Sequence, residues 1–389
     1  FRDIIKFIQK VDPDLICGMN SNNFDIPYLV NRGRQLDVNI DKISHDGRKI
    51  EIKTFYSKST LRNETEISIN GRYCFDLQRA AKYLNLSESD EYSLNDLAKQ
   101  LLQKEKYPIS STPQTLWTKG ELKELMNYNL HDVMLCVEID EKTEMVDTFN
   151  EQRIEAGCTW NELWQATRIL DVILLREAKQ QNIVLPRKPI KQKKKSERIK
   201  GGFVHHSIPG LHYGVCVFDF ISLYPNLIRT FNMSPETKKD AGLFDNNVIG
   251  FIPNVITRIL QLRDLYKLKK HEAKQQNNLN EWKKFDKKQH AKKIQANSLF
   301  GVFDNPGFRL FDQDISSSIT LMGQETNKWI TQLVKDNGYI PIYGDTDSLF
   351  IELGKQPVDN LITEGQKIET LINSNLDKFV QNFGVKNII

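Results

Sequence analysis

The sequence contains two aspartates separated by a single residue, and this spacing is the first feature with recognisable chemistry. Asp345 and Asp347 lie in the segment YGDTDS (343–348), between the apolar segments 339–343 and 349–351, which indicates a tight β-hairpin. Side chains two residues apart share one face of a strand, so we expect both carboxylates to point the same way. Neighbouring carboxylates in an apolar setting repel each other and favour a hard divalent cation. Taken alone, the segment is also typical of an ordinary turn.

A third carboxylate lies near the end of another apolar run. Asp219 belongs to residues 213–220, which are too continuously apolar for an exposed strand, so we predict a central strand here. Together with Asp345 and Asp347, it forms a set suited to two Mg²⁺ ions, which lie about 3.5–4 Å apart in phosphoryl-transfer sites. This set predicts nucleotidyl-transfer chemistry.

The cationic groups that such chemistry needs lie on two predicted helices. Residues 254–275 and 281–299 have helical patterns and are separated by a polar run, which predicts an antiparallel helical hairpin. The pairs at i and i+4 that share one helix face are Arg263 with Lys267, and Lys293 with Asn297. Arginine and lysine donors orient a triphosphate and offset the charge of leaving pyrophosphate. The alternative is a solvated amphipathic hairpin.

The other elements suggest several domains. Helices and strands alternate over the first 150 residues, with a helix at 2–10, a strand at 15–17, a helix after Pro27 and hairpin-like strands between 48 and 76. This order predicts an α/β or α+β domain with a mixed sheet. Residues 160–182 are predicted to form one well-buried helix.

Charge and composition narrow the class of protein. Net charge is +4, but 186–200 holds eight Lys or Arg against one acidic residue, and 258–293 holds twelve against four. The rest of the chain is net acidic, and two basic islands in an acidic remainder suit a polyanionic partner, although each could also be a solvated face. The length of 389 residues predicts two or three domains, and a chain with 39% hydrophobic residues and no apolar run of 18 is globular without a spanning helix. Five dispersed cysteines without a CxxC pair favour an intracellular, reducing compartment.

Three segments, in order, resemble the motifs of family B DNA polymerases. DFISLYP (219–225) resembles motif A, KIQANSLFG (293–301) resembles motif B, and YGDTDS (343–348) matches motif C. The resemblance implies a DNA-directed DNA polymerase that adds dNTPs to a primer by two-metal catalysis with Mg²⁺, which Mn²⁺ can replace. Its partners would be primer–template DNA, dNTPs and replication proteins such as a sliding clamp, with no membrane.

Upstream segments are similar to the proofreading part of the same family. GMNSNNFDIPYL (18–29) resembles the second motif of the 3′–5′ exonuclease, YNLHD (128–132) the third, and KGG (200–202) the glycine motif that joins exonuclease to palm. The first motif, Asp-x-Glu, has no counterpart in residues 1–20, because Asp12-Pro13-Asp14 fits a loop better. We therefore expect a piece of a longer protein that does not proofread as it stands.

The resemblance assigns roles to individual residues. Asp219 and Asp347 would be metal ligands with Asp345 in support, and Tyr224 would stack beneath the incoming sugar and exclude a 2′-hydroxyl. The remaining polymerase residues would contact the dNTP, and they are Ser222, Leu223, Arg263, Lys267, Lys293 and Asn297. Lys293 would also be catalytic. In the exonuclease, metal ligands would be Asp25 and Asp132, with Asn20 nearby and Tyr128 positioning the water. DNA contacts would be Lys200, Gly201 and Gly202.

Two exonuclease residues also have simpler interpretations. Asp25 could be a turn or cap residue before Pro27, and Tyr128 a half-buried helix residue. The sequence also departs from the family pattern at Phe300, where tyrosine is usual, and at Met19 and Ile199, where aromatic residues are usual. The loss of a hydroxyl at Phe300 alters the pocket for the nascent base pair.

The fold class implied by the resemblance is α/β and α+β, with several domains in the chain. It comprises a partial RNase H-like exonuclease (1–150), a helical and basic linker (151–200), a palm with an antiparallel sheet (201–252 and 301–389, without a thumb) and a fingers hairpin (253–300). The basic linker would be a duplex contact, a nuclear import signal or a disordered segment, so the compartment is cytoplasm or nucleus. The short gap between motifs A and B favours a nucleic-acid primer.

Three other functions stay open at this stage. A catalytically silent DNA-binding scaffold subunit is disfavoured by the intact carboxylates and Lys293. A metal-dependent nuclease is disfavoured by the missing first exonuclease motif. An RNA polymerase is disfavoured by Tyr224, which would exclude ribonucleotides. A reverse transcriptase is disfavoured by the exonuclease-like half of the chain.

Overall fold

The computed structural model of the chain describes residues 1–57, 62–189, 204–239 and 243–385. It divides into two units, Phe1–Asn150 and Glu151–Ile389. The predicted features outside the described residues are most of the basic segment 186–200, Ile199, Lys200, Gly201 and Gly202. Within the described parts, no helix has both the length and the apolar character that a bilayer crossing requires.

The first unit combines helices with two short sheets. Its α-helices are α1 (Arg2–Val11), α2 (Asp25–Gln35), α3 (Leu77–Tyr83), α4 (Leu94–Leu97), α5 (Pro113–Lys119) and α6 (Leu122–Thr143), and α7 (Met145–Ala156) contains the boundary between the units. A 3-10 helix covers Ile40–Ile43 and a π-helix Ala98–Leu102. Its strands are β1 (Leu15–Gly18), β2 (Glu51–Ser57), β3 (Arg62–Ser68) and β4 (Tyr73–Asp76).

The sheets of this unit differ from the predicted mixed sheet. Strand β1 pairs in parallel with β4, and β2 pairs antiparallel with β3, in two separate sheets. The prediction of one mixed sheet is therefore wrong for the described residues. The reason is a turn after β3, where Gly71 has a φ of 78° and Ile69 bridges Arg72, so that β4 leaves the hairpin and joins β1.

Helix α2 begins earlier than predicted. Its first residue is Asp25, so Pro27 lies in its first turn, where the missing N–H costs no hydrogen bond. The helix buries Ile26 and Val30 in a core of mostly aliphatic side chains from α1, α2 and the strands. This placement puts Asp25 at the helix start and at the end of the preceding loop.

The second unit is built on a four-stranded antiparallel sheet and long helices. Its further α-helices are α8 (Ala166–Gln180), α9 (Leu223–Thr230), α10 (Phe251–Gln275), α11 (Leu279–Phe303), α12 (Gln313–Asp336) and α13 (Val358–Gln381). Its strands are β5 (Val204–His205), β6 (Val215–Asp219), β7 (Ile340–Asp345) and β8 (Ser348–Glu352), in the order β5-β7-β8-β6. Ile330, Ile351 and Ile368 are part of the core that joins α12, β8 and α13.

Two predictions for this unit are wrong. Strand β6 lies at the sheet edge in the described part of the chain, and 56% of Val217 is exposed. A continuous apolar run does not reveal how many neighbours a strand has. The predicted helix 160–182 is also interrupted, because a capping box between Thr159 and Glu162 closes a short 3-10 turn and α8 starts only at Ala166.

The helical hairpin is confirmed and is longer than predicted. Helices α10 and α11 are joined by only three residues, 276–278. They run antiparallel: the rings of Tyr266 and Phe285 stack at 6.1 Å, and Lys270 Nζ lies 2.6 Å from Asp286 Oδ1. The hairpin is thus a defined arm that carries Arg263 on one helix and Lys293 on the other.

Candidate active site

The sheet brings two of the predicted carboxylates to one end of the β7–β8 hairpin. Asp219 at the end of β6 is in register with Ser348 at the start of β8. The backbone N–H of Phe220 donates to the carbonyl oxygen of Asp347 at 2.8 Å. The aspartate that precedes Ser348 is therefore held beside the last residue of β6.

A turn, not strand alternation, places Asp347. Asp345 is the last residue of β7, whereas Asp347 lies in the turn after Thr346, whose φ is 49°. The prediction that alternation along one strand aligns both carboxylates is therefore wrong. A left-handed residue between the aspartates redirects the chain, and a strand pattern does not report such a conformation.

The electrostatics of this hairpin match a site for a cation. Burial, followed by repulsion from Asp219 and Asp345, raises the pKa of Asp347. Oxygen donors that repel one another are the donor set that hard divalent ions prefer. Among the residues that the structure describes, no group of three or more His, Cys, Asp and Glu side chains forms a metal site by itself.

A cavity of about 350 Å³ opens beside these carboxylates. Its lining includes eight of the residues predicted from the sequence: Asp219, Ser222, Leu223, Tyr224, Arg263, Lys293, Asn297 and Asp347. The lining formed by described residues does not include Asp345 or Lys267. Lys267 instead lies 3.3 Å from Asp264 Oδ1 on its own helix. The cavity therefore combines carboxylates from the sheet with cations from the helical hairpin.

Arg263 is buried and has unused hydrogen-bonding capacity. Its side chain donates from Nη1 to Ser222 Oγ at 3.3 Å, while Nε is buried with no hydrogen-bond partner among the described residues. Buried donors are normally satisfied, so an arginine that lines a cavity and keeps an unsatisfied donor suits an anionic ligand. Ser222 itself has a φ of 56°, a strained value for a residue other than glycine.

The ring of Tyr224, which lines the same cavity, packs closely against two neighbouring residues. Its ring centroid lies 4.7 Å from that of Phe300. A Cβ added to Gly323 of α12 would lie 3.0 Å from Tyr224 Cε1, so this glycine leaves room for the ring. Sequence reasoning did not identify Gly323, although a glycine inside a helical pattern is a signal of close packing.

In the first unit, Tyr128 and Asp132 lie one turn apart on α6 and share a lysine. Lys106 Nζ lies 3.1 Å from Tyr128 Oη and 2.8 Å from Asp132 Oδ2. Asp132 Oδ1 is buried without a hydrogen-bond partner in the described residues. Sequence reasoning missed Lys106, which is 26 residues from Asp132 in the chain.

The other exonuclease candidates are Asp25, the first residue of α2, and Asn20 in the loop before that helix. Burial, followed by repulsion from Asp76, raises the pKa of Asp25. Burial and then the charge of Asp132 raise the pKa of Cys136, and the charge of Asp25 acts in the same direction. Both aspartates therefore act electrostatically on one thiol of α6.

Asp76 holds this loop and was not found from the sequence. The residue is 2% exposed, and its carboxylate accepts hydrogen bonds from the backbone N–H groups of Asn20 at 3.2 Å, Asn22 at 3.1 Å and Arg79 at 3.1 Å. Asp76 is also the N-cap of α3, and an aspartate between a strand and a helix is the signal that could have found it. One buried side chain thus ties the predicted exonuclease loop to the sheet.

Replacing Asp76 with Ala is expected to destabilise the first unit by about 3 kcal/mol, because three backbone donors lose a charged acceptor. Urea unfolding measures the loss, and amide hydrogen exchange of Asn20 and Asn22 locates it. The control is Asp3→Ala, because Asp3 is 97% exposed and its loss should change stability by less than about 0.5 kcal/mol. Equal effects of the two substitutions, with unchanged exchange in the loop, would contradict this role.

Comparison with known proteins identifies the family. The model for "DNA polymerase family B" matches residues 162–247 and 238–386, and the model for the "DNA polymerase family B, exonuclease domain" matches residues 1–97. The polymerase match includes the cavity residues. The exonuclease match includes Asp25 and ends before Tyr128.

Curated relatives come from several groups of organisms. The chain is 30% identical to the DNA polymerase delta catalytic subunit of Dictyostelium discoideum, over 94% of this chain and 36% of the relative. It is 28% identical to the delta catalytic subunit of Arabidopsis thaliana, over 94% of this chain and 36% of the relative, and 26% identical to a DNA polymerase of Pyrococcus glycovorans, over 96% and 49%. The chain thus spans between a third and a half of the length of these relatives. The matches to both parts of the chain show that it belongs to DNA polymerase family B.

Proposed function

We propose that the second unit carries the nucleotidyl-transfer site of a DNA-directed DNA polymerase. The observation that carries this proposal is the cavity in which Asp219 and Asp347 face Arg263 and Lys293. Carboxylates and guanidinium or ammonium groups around one cavity suit a ligand that carries both metal ions and a triphosphate. Membership of family B supports the same activity.

Each cavity residue has a physical role in this proposal. Asp219 and Asp347 would hold Mg²⁺, with Asp345 in support, and bound Mg²⁺ would lower the barrier to attack of the primer 3′-hydroxyl on the α-phosphate. Arg263 and Lys293 would bind the triphosphate oxygens and offset the negative charge of leaving pyrophosphate.

The remaining contacts select and orient the nucleotide. The ring of Tyr224 would fill the space beside the sugar, so that a 2′-hydroxyl collides with it. Ser222, Leu223 and Asn297 would line the pocket, while Lys267 would act only after its contact with Asp264 is released. Primer–template DNA is the second substrate, and Phe300 packs on Tyr224 without offering a hydroxyl.

The architecture supports matching domain assignments. We infer that the four-stranded sheet with α12 and α13 is the palm and that α10–α11 is the fingers. The first unit would be an RNase H-like exonuclease in which Asp25 and Asp132 hold metal and Tyr128 positions water. Lys106, which contacts both Tyr128 and Asp132, supports a shared role for these two residues.

Primer extension tests the proposal. The protein expressed from its complete reading frame should extend a primed template in Mg²⁺ with dNTPs and not with NTPs. Chelation by EDTA should stop the reaction. Binding of primer–template without any extension would overturn the proposal and favour a scaffold subunit, and degradation without extension would favour a nuclease.

A further inference from the structure

A buried charged cluster lies midway along the helical hairpin, and the described lining of the cavity includes none of its side chains. Glu155, near the end of α7, accepts hydrogen bonds from Tyr266 Oη at 3.0 Å and from Lys288 Nζ at 3.0 Å. Its second oxygen lies 3.1 Å from Lys292 Nζ. These four residues, the Glu155 cluster, connect α7, α10 and α11.

The two central residues of the cluster, Glu155 and Lys292, are buried and form an ion pair with each other. The Lys292 side chain is 4% exposed and that of Glu155 is 10% exposed. Burial opposes ionisation of Glu155, but hydrogen bonding to Lys288 and the charge of Lys292 lower its pKa. Burial and the charge of Glu155 raise the pKa of Tyr266 to about 12, so its hydroxyl stays a donor at neutral pH. Burying such charges is costly, and breaking one pair leaves the other charge unpaired.

The cluster also lies on a fixed support. Arg176 of α8 donates from Nη1 to the carbonyl oxygen of Ala156 at 3.1 Å and from Nη2 to that of Glu155 at 3.5 Å. Arg258 of α10 lies 2.7 Å from Glu177 of α8. The end of α7 that carries the carboxylate is therefore attached to the same helix that contacts α10.

Lys292 belongs to the buried face of α11, which sets the rotation of the helix about its own axis. Lys288, Lys292 and Gln295 lie on one stripe of the helix, and Lys292 Nζ also donates to Gln295 Oε1 at 3.2 Å. Lys293 follows Lys292 by one residue, which is about 100° of rotation, and together with Asn297 it lines the cavity. With Lys292 held by Glu155, Lys293 therefore lies on the part of the helix that lines the cavity of the carboxylates.

We propose that Glu155 and Lys292 are positioning residues that set the rotation of α11 so that Lys293 faces the nucleotide. The inference rests on the proposed polymerase function and adds residues that do not touch the substrate. Lys292 is suited to this role because rotating α11 away from Glu155 would leave a buried ammonium and a buried carboxylate without their pairing, which is costly.

Replacing Lys292 with Met tests the role, since Met keeps the length and leaves Glu155 paired with Lys288 and Tyr266. We expect kcat/KM for dNTP to fall by about 10- to 100-fold, because a small misplacement of a catalytic group has effects of this size. Lys292→Arg should restore the rate to within about threefold of the wild type, because the guanidinium also pairs with a carboxylate. The control is Lys284→Met on the same helix, where the lysine is 48% exposed, pairs with Glu281 and lies over the ring of Phe285.

A double variant separates positioning from general damage. If Lys292 acts through Lys293, adding Lys292→Met to Lys293→Ala should lower kcat/KM for dNTP by less than about a further threefold. The reason is that Lys292 cannot position an ammonium group that has already been removed. Multiplied losses, or a Lys292→Met rate equal to that of Lys284→Met, would overturn the inference. If Lys292→Met does not fold, Glu155→Gln replaces it in the combination with Lys293→Ala. Multiplied losses, or a Glu155→Gln rate equal to that of Lys284→Met, would then overturn the inference. An inactive wild type would instead overturn the proposed function.

Discussion

Asp347→Asn is expected to reduce primer extension by at least about 1,000-fold without unfolding the protein. The substitution keeps the shape of the side chain and removes the charge that would hold Mg²⁺ beside Asp219. Because Asp219 and Asp345 repel the Asp347 carboxylate, the neutral amide relieves repulsion and should leave the melting temperature unchanged or raised. Single-turnover extension and thermal unfolding of both proteins measure the two effects.

Asp345→Asn is the matched control for this substitution. Asp345 ends β7 in the same hairpin but does not belong to the cavity lining. We expect a loss of less than about tenfold, consistent with a carboxylate that acts on Asp347 only at a distance. Equal losses for the two variants, or an Asp347→Asn protein that extends within tenfold of the wild type, would contradict the assignment of metal ligands.

Tyr224→Ala is expected to lower the preference for dNTPs over NTPs by about 100-fold or more. A ring that fills the space beside the sugar rejects the 2′-hydroxyl by collision, and removing the ring removes the collision. Separate kcat/KM values for a dNTP and the matching NTP give the preference. The dNTP value serves as the internal measure of general damage.

Gly323→Ala is the complementary variant. Its added Cβ would approach Tyr224 Cε1 to 3.0 Å and push the ring toward the cavity. We expect slower use of dNTPs with the preference against NTPs retained. An unchanged preference in Tyr224→Ala would show that another side chain excludes the ribose hydroxyl, and the role of Tyr224 would then be wrong.

The parts of the site that could be predicted from the sequence depend on local patterns. The polar run after residue 275 indicated the turn of the helical hairpin, and i,i+4 spacing placed Lys293 and Asn297 on one face. The apolar segments around YGDTDS identified the β7–β8 hairpin. In each case, residues close together in the chain determine the local structure, so a short stretch of sequence is enough to predict it.

The parts that could not be predicted depend on distant partners or on one backbone angle. Glu155 and Lys288 are separated by 133 residues, so no local pattern relates them. The edge position of β6 is set by which strands pair with it, and its apolar run is the same in either position. The left-handed Thr346 moves Asp347 off the strand, and a β-branched residue such as threonine rarely adopts that conformation.

Single-nucleotide incorporation on a primed template tests the central claim most directly. The protein from the complete reading frame is mixed with primer–template, Mg²⁺ and one dNTP at a time, beside the Asp347→Asn variant, and DNA binding is measured in parallel. We predict that the wild type adds only the dNTP complementary to the template base, and that the variant binds the same DNA without adding any. A wild type that binds DNA and adds no nucleotide, or a variant that adds it at the wild-type rate, would contradict a polymerase site built on Asp219 and Asp347.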